Sequence, residues 1–326
     1  MVDTMICPRC GTRNRAEAVN CRACRINLKF AQENPTDFVR VMPEDASQKQ
    51  REGGTLVLDR VPITGSREGL ELLPVLLLFG SFVFAFCFGE AVHELGHFLA
   101  QRAYGLPAEV RLDPFGGSMV SHEASAPVAI RGITSAMGPL LNLVASMTVT
   151  LALWRNRKPA LLAFLLWGPV ALIQESASLS LGIFTQSGDA ALIAGAGFPT
   201  VILLDLGVFF FLSGVLMFAL LLPQVNLLPG DPFQKKFSVL STGMVSFIGF
   251  RFLYSILFSG NLAEENAVWL IFTLVLATMV GALHRPLYPL LSQIAEMKPA
   301  SITKAEAGLS MALGLGMVLF QVVIFN

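Results

Sequence analysis

His93 and His97 stand four residues apart in the run HELGH, so on an α-helix both imidazoles leave the same face and can share a metal ion. Glu94, beside them, offers a carboxylate that can take a proton from a water acidified by the metal and later pass it to a leaving amine. The chain has four histidines, and two fall here. Two unrelated histidines around a structural glutamate would be the plainer explanation. Against it stands the cost of ionisable groups inside an apolar segment, where they are seldom kept without a function. Glu90, one turn earlier, has two readings: a hydrogen-bonding partner that orients a ligand, or a solvated or helix-paired carboxylate. Cys87 lies in a Phe-rich stretch and suits a small buried apolar side chain better than a ligand. A second set of metal-ligating residues comes much earlier. Cys7, Cys10, Cys21 and Cys24 form the pairs CPRC and CRAC, and two such turns close a tetrahedral zinc site with no open position for water. That site would be structural, the alternatives being a disulfide pair or a redox role.

The elements that must carry HELGH are membrane spans. With 326 residues, 54% of them hydrophobic and only 14% charged, the chain is too apolar for an ordinary soluble enzyme. The apolar blocks predict spans at 72–104, 131–154, 159–184, 200–223, 237–258, 267–284 and 306–325, each near the roughly 20 residues that a helix needs to cross a bilayer. The expected fold is therefore an all-α polytopic membrane protein of about seven spans with a small amino-terminal zinc ribbon. Residues 1–30 would form the ribbon, 31–70 a linker rich in Pro, Gly, Ser and charge, 71–200 the core holding HELGH, and 201–326 additional carboxy-terminal helices. No cleavable signal peptide is expected, because a polar Cys-rich stretch occupies its place. Formal net charge is zero, which gives no bulk attraction for nucleic acid, and no nucleic-acid partner is expected. Lys and Arg gather on the side of the amino-terminal segment, Arg155, Arg157, Lys158, Lys235, Lys236, Arg285, Lys298 and Lys304. That asymmetry predicts a cytosolic amino terminus, and the far end of the first span outside. There is no internal repeat and no pair of broken helices of the kind that marks many transporters.

HELGHFLAQRAYGL, LDPFGGSM and SAMGPLLNL together resemble the site-2 protease family of intramembrane zinc metalloproteases over roughly residues 85–200. CPRCGTRN is similar to small zinc ribbons at the amino terminus of many bacterial membrane proteins, a resemblance that implies a bacterial cytoplasmic membrane and allows a protein partner for the ribbon. The family resemblance implies a zinc metalloendopeptidase that cleaves membrane protein substrates within or beside the bilayer, with one catalytic zinc besides the structural one. It also implies a Gly-rich hairpin after the HExxH helix, matched by Gly116 and Gly117, and a Gly-Pro-x-x-Asn span opening, matched by Gly138, Pro139 and Asn142. On that basis the segment from Arg111 to Val120 offers a strand edge to an unwound substrate. Asn142 either holds substrate or the oxyanion, or is a polar residue packing helices. A site open to the cytosolic side is usual in the family, which disagrees with the orientation drawn from charge.

Two histidines leave a catalytic zinc short of a third protein ligand. Asp189, Asp231 and Asp113 are the candidates. NLLPGDPFQ superficially resembles the family's NLLPxxPLDG signature, yet Gln234 stands where that signature has its Asp. HELGH lies towards the far end of the first span, so its partner must emerge on that side. Asp189 follows the third span and does so, whereas Asp231 follows the fourth and would emerge about 30 Å away. QSGDAALIAGAGFP also resembles the Ser-Asp-Ala-x-x-Leu stretch of a divergent branch. The expected ligands are His93, His97 and Asp189. Glu175, some 20 Å from Asp189 along a continuous helix, is expected to make a contact between spans and not to reach the metal. His122 is expected as an exposed loop residue. A catalytically inactive, protease-like membrane scaffold is the alternative function.

Overall fold

The computed structural model describes residues 4–6, 13–15, 72–112, 118–121, 126–228, 231–254, 256, 273–284, 286 and 301–325. The chain divides into two units, Met1–Gly69 and Leu70–Asn326. In the first, β1 (Thr4–Ile6) and β2 (Arg13–Arg15) pair antiparallel, with Thr4 opposite Arg15 and Ile6 opposite Arg13. The expected zinc ligands Cys7, Cys10, Cys21 and Cys24, and the expected linker, lie outside the described residues.

The second unit is helical. It opens with α1 (Leu72–Ala103), followed by a hairpin of β3 (Ala108–Arg111) and β4 (Ser118–Ser121). Then come α2 (Val128–Leu153), α3 (Leu162–Thr185), the eight-residue α4 (Gly188–Gly195) and α5 (Thr200–Leu221). The last described helices are α6 (Phe233–Tyr254), α7 (Thr273–His284) and α8 (Lys304–Phe325). Five of these, α1, α2, α3, α5 and α8, are long and apolar enough to cross a membrane. The sequence led to an expectation of about seven. The expected fifth span coincides with α6, which Lys235, Lys236 and Arg251 make less apolar, and the sixth with α7, which is too short among the described residues.

Residues 72–89 carry no charge, and the helix they begin has no polar stripe to turn towards solvent, so it sits in the middle. The most apolar stretches of α1 and α3 are 72% and 83% buried, against 28% for α2, α5 and α8. Leu77, Val83 and Phe86 of α1 pack with Leu165, Leu166 and Val170 of α3, Phe218 of α5 and Phe247 of α6 in one apolar core. The outer helices turn Leu140, Val144, Phe209, Leu212, Leu319 and Val323 outward. Exposed apolar surface on helices of this length is what a lipid environment accommodates. The described helices are compatible with an integral membrane protein.

Inside an apolar medium every backbone group needs a partner. Pro169, within α3, has no N–H for the Leu165 carbonyl one turn back. The Thr150 hydroxyl of α2 donates to that carbonyl at 3.4 Å and accepts the Gly168 N–H at 3.0 Å. α2 and α3 are therefore joined at the proline. At the other end of α3 the chain reverses. Gln186 adopts a left-handed conformation (φ 52°), Ser187 donates its N–H to the Gly182 carbonyl at 3.1 Å, and Gly188 is left-handed as well (φ 67°). This double left-handed turn folds α4 back against α2 and α3, with Asp189 in its first turn.

Candidate metal centre

Four elements place the site: α1 brings two imidazoles, α2 a backbone carbonyl, α3 a carboxylate, and α4 a second carboxylate. The crossing of α1 and α2 is close because glycines face it. A methyl group at Gly138 would overlap the His97 ring, and one at Gly96 would overlap the Met137 carbonyl. His97 can therefore lie flat against α2. Its Nδ1 is 2.8 Å from the Thr134 carbonyl oxygen. His93, one turn earlier, has its Nδ1 2.9 Å from Oε1 of Glu175, which is wholly buried on α3. The opposite edges of both rings face each other, with Nε2 to Nε2 at 3.0 Å. Asp189 closes the group, its Oδ2 3.0 Å from His93 Nε2 and 3.2 Å from His97 Nε2.

Proton accounting shows what this arrangement demands. A backbone carbonyl only accepts, so Nδ1 of His97 carries the hydrogen, and the Glu175 carboxylate requires the same of His93. In the neutral rings both Nε2 atoms are then lone-pair acceptors, and they converge on a carboxylate oxygen. Three acceptors in mutual contact need a positive centre among them, either protons on the imidazoles or a metal ion. The separations suit a metal. Ligand atoms about 2.0–2.2 Å from a tetrahedral ion lie roughly 3.3 Å from one another. His93, His97 and Asp189 can thus hold a metal ion. Glu175 and the Thr134 carbonyl supply the outer hydrogen bonds that histidine ligands ordinarily have. Burial by itself would raise the Asp189 carboxyl, but its hydrogen bonds to His93 and His97 outweigh that and hold it well below the usual carboxylate range.

Glu94 is 5% exposed and lies within electrostatic reach of His93, His97, Asp189 and Glu175. Asn142, on α2, is also wholly buried. It donates from Nδ2 to Glu175 Oε1 at 2.8 Å, and its Oδ1 accepts the Trp167 indole N–H at 3.0 Å. Glu90 accepts a hydrogen bond from Gln174. The ring of His93 is thus oriented by Glu175 and not by Glu90, for which a ligand-orienting role was one of two expectations.

Among the described residues, only Asp189 joins the two histidines. Asp231 instead accepts the Leu228 N–H at 2.6 Å within its own turn after α5. Asp113, Gly116, Gly117 and His122 lie outside the described residues, although β3 and β4, which flank the two glycines, pair antiparallel from Ala108 opposite Ser121 to Arg111 opposite Ser118. Glu175 makes the expected contact between spans. As expected it is not in the group that could hold the metal, but it reaches the outer edge of a ligand while Asp189 reaches the inner edge of the same ring, a contact that the sequence did not reveal. The cause is the double left-handed turn, which replaces the continuous helix assumed between them. An acid within an apolar span is a signal from which a role for Glu175 could have been sought, although not which ring it meets. Compared with protein-family models, with curated proteins and with solved structures, the chain matches none.

Proposed function

We propose that the chain is a zinc metalloendopeptidase of the site-2 type that hydrolyses peptide bonds of membrane proteins within or beside the bilayer. The observation that carries it is the convergence of three acceptor atoms from His93, His97 and Asp189 next to a buried carboxylate, Glu94, inside a bundle of long apolar helices. Two imidazoles and one carboxylate are a ligand set that zinc takes in catalytic sites, where a fourth position stays open. When bound, zinc supplies Lewis-acid polarisation of a carbonyl and raises the acidity of water at that position. The residues of the chain do the rest. Glu94 takes the proton from the attacking water and returns it to the departing amine. Glu175 and the Thr134 carbonyl keep both rings turned with Nε2 inward, and the surrounding apolar helices limit the water that reaches the site. The four amino-terminal cysteines would hold the structural zinc.

Glu94→Gln tests the role of the base. Purified wild type in detergent or bilayer discs should cleave members of a library of single-span peptides, and the variant should lose at least 100-fold in rate while keeping its zinc. Cleavage that persists in the variant would eliminate the mechanism. Zinc-loaded wild type that cleaves nothing would mark the chain as a holder of membrane proteins and not an enzyme.

A further inference from the structure

Behind His93 lies a chain of hydrogen bonds that joins three helices and ends in an indole. Trp167 of α3 donates to Asn142 of α2, Asn142 donates to Glu175 of α3, and Glu175 faces Nδ1 of His93 on α1. Each end of the Asn142 amide is bonded within the protein, the nitrogen to Glu175 and the oxygen to Trp167, and its exposure is 0%. Gly89 of α1 leaves the space in which this polar group fits. A methyl group there would come within 3.3 Å of the indole nitrogen and 3.5 Å of the Asn142 oxygen.

Resting on the metal-centre reading above, we propose that Asn142 and Trp167 are positioning residues for the metal. They fix the Glu175 carboxylate, which in turn holds His93 with its Nε2 lone pair directed at the ion, and Asn142 does not serve as a substrate or oxyanion contact. The physics favours this assignment. Glu175 is a buried acid between apolar helices, and its Oε1 is shared by one ring N–H and one amide N–H. Removing the amide leaves that oxygen with a single donor and frees the carboxylate to rotate. His93 then loses both the fixed tautomer and the basicity that an outer carboxylate confers on a ligand. Asn142 keeps a second N–H and a second oxygen lone pair beyond these two bonds, but the side chain is wholly buried, so a substrate could reach neither unless the packing opened first.

Metal affinity separates the two roles. Full-length protein in bilayer discs is titrated with Zn2+ against a chelator and, separately, with Co2+. The visible bands of cobalt held by nitrogen and oxygen lack the thiolate charge-transfer absorption of any cobalt held by cysteines. Asn142→Ala and Glu175→Ala should each weaken zinc at the histidine site about 10- to 100-fold and shift the visible cobalt spectrum, the usual range for outer-shell losses. Trp167→Phe and Glu175→Gln should weaken it less, in the same direction, and excess zinc should restore cleavage in all four. Unchanged zinc affinity and cobalt spectrum in Asn142→Ala, with cleavage impaired at saturating zinc, would overturn the proposal. If the alanine variants fail to fold, the two milder variants decide on the same readouts. Wild type without the nitrogen- and oxygen-ligated cobalt spectrum would instead refute the metal centre itself, an outcome visible before any variant is made.

Discussion

A metal ligand works only as well as its ring is held, and at this site each imidazole is held from behind. His97 is fixed by a backbone carbonyl, which a side-chain substitution cannot remove, whereas His93 depends on Glu175. Asp189 is the residue whose protonation can be followed. Its carboxyl is held below the ordinary range, so its stabilising contribution is complete above the unfolded value near 4 and is lost as pH falls through the lower folded value. Metal-free wild type should therefore be more stable than Asp189→Asn at neutral pH, and acid titration of thermal unfolding should show the gap closing as pH drops below about 4. A gap that widens in acid would mean the carboxylate is not paired with the imidazoles. At this scale the sequence was informative. The four-residue spacing of His93 and His97, in an apolar span where ionisable groups are costly, nominated the pair and Glu94, and Asp189 followed from its emergence after the third span on the side where HELGH lies. The partners behind the rings were not legible, because a carbonyl such as that of Thr134 has no signature in sequence and Glu175 could be placed only by knowing how α3 ends.

Helix ends and crossings are what convert those residues into a site. α4 is eight residues long and stands where Asp189 can reach α1 only because Gln186 and Gly188 both adopt left-handed backbone. Alanine at Gly188 should cost about 1 kcal/mol of docking of α4 against its neighbours, which corresponds to roughly a fivefold loss of metal affinity if the ion and the turn are coupled. Chelator competition on Gly188→Ala measures this, and an unchanged affinity would show that Asp189 is placed by packing alone. Apolarity made the long spans readable, whereas the hairpin between α1 and α2 was expected only from the family resemblance. The third span was expected to end at 184 and α3 ends at Thr185, but the tight reversal that follows was not legible, since Gln at a left-handed position is uncommon. The close approach at Gly138 explains a motif that resemblance alone left without a physical role. His97 lies where a side chain at 138 would otherwise be.

On the scale of the whole molecule, the described helices share a main apolar core around α1 and α3, and His93, Glu94, His97, Asn142 and Glu175 are buried where these two helices meet α2 and α4. Buried ionisable residues in such a core are retained for function far more often than for stability. Composition pointed to a membrane protein, with which five long apolar helices are compatible, whereas among the described residues α6 and α7 fall short in apolarity or length where the residue blocks looked sufficient. The account predicts two independent metal sites in one chain, one made by cysteines and one by residues drawn from α1 and α4. Counting zinc in purified protein tests that most directly. Wild type should carry about two zinc ions per chain, Asp189→Ala about one, and Asp231→Ala about two. Full zinc content in Asp189→Ala, or loss of one ion in Asp231→Ala, would contradict the assignment of the metal to His93, His97 and Asp189.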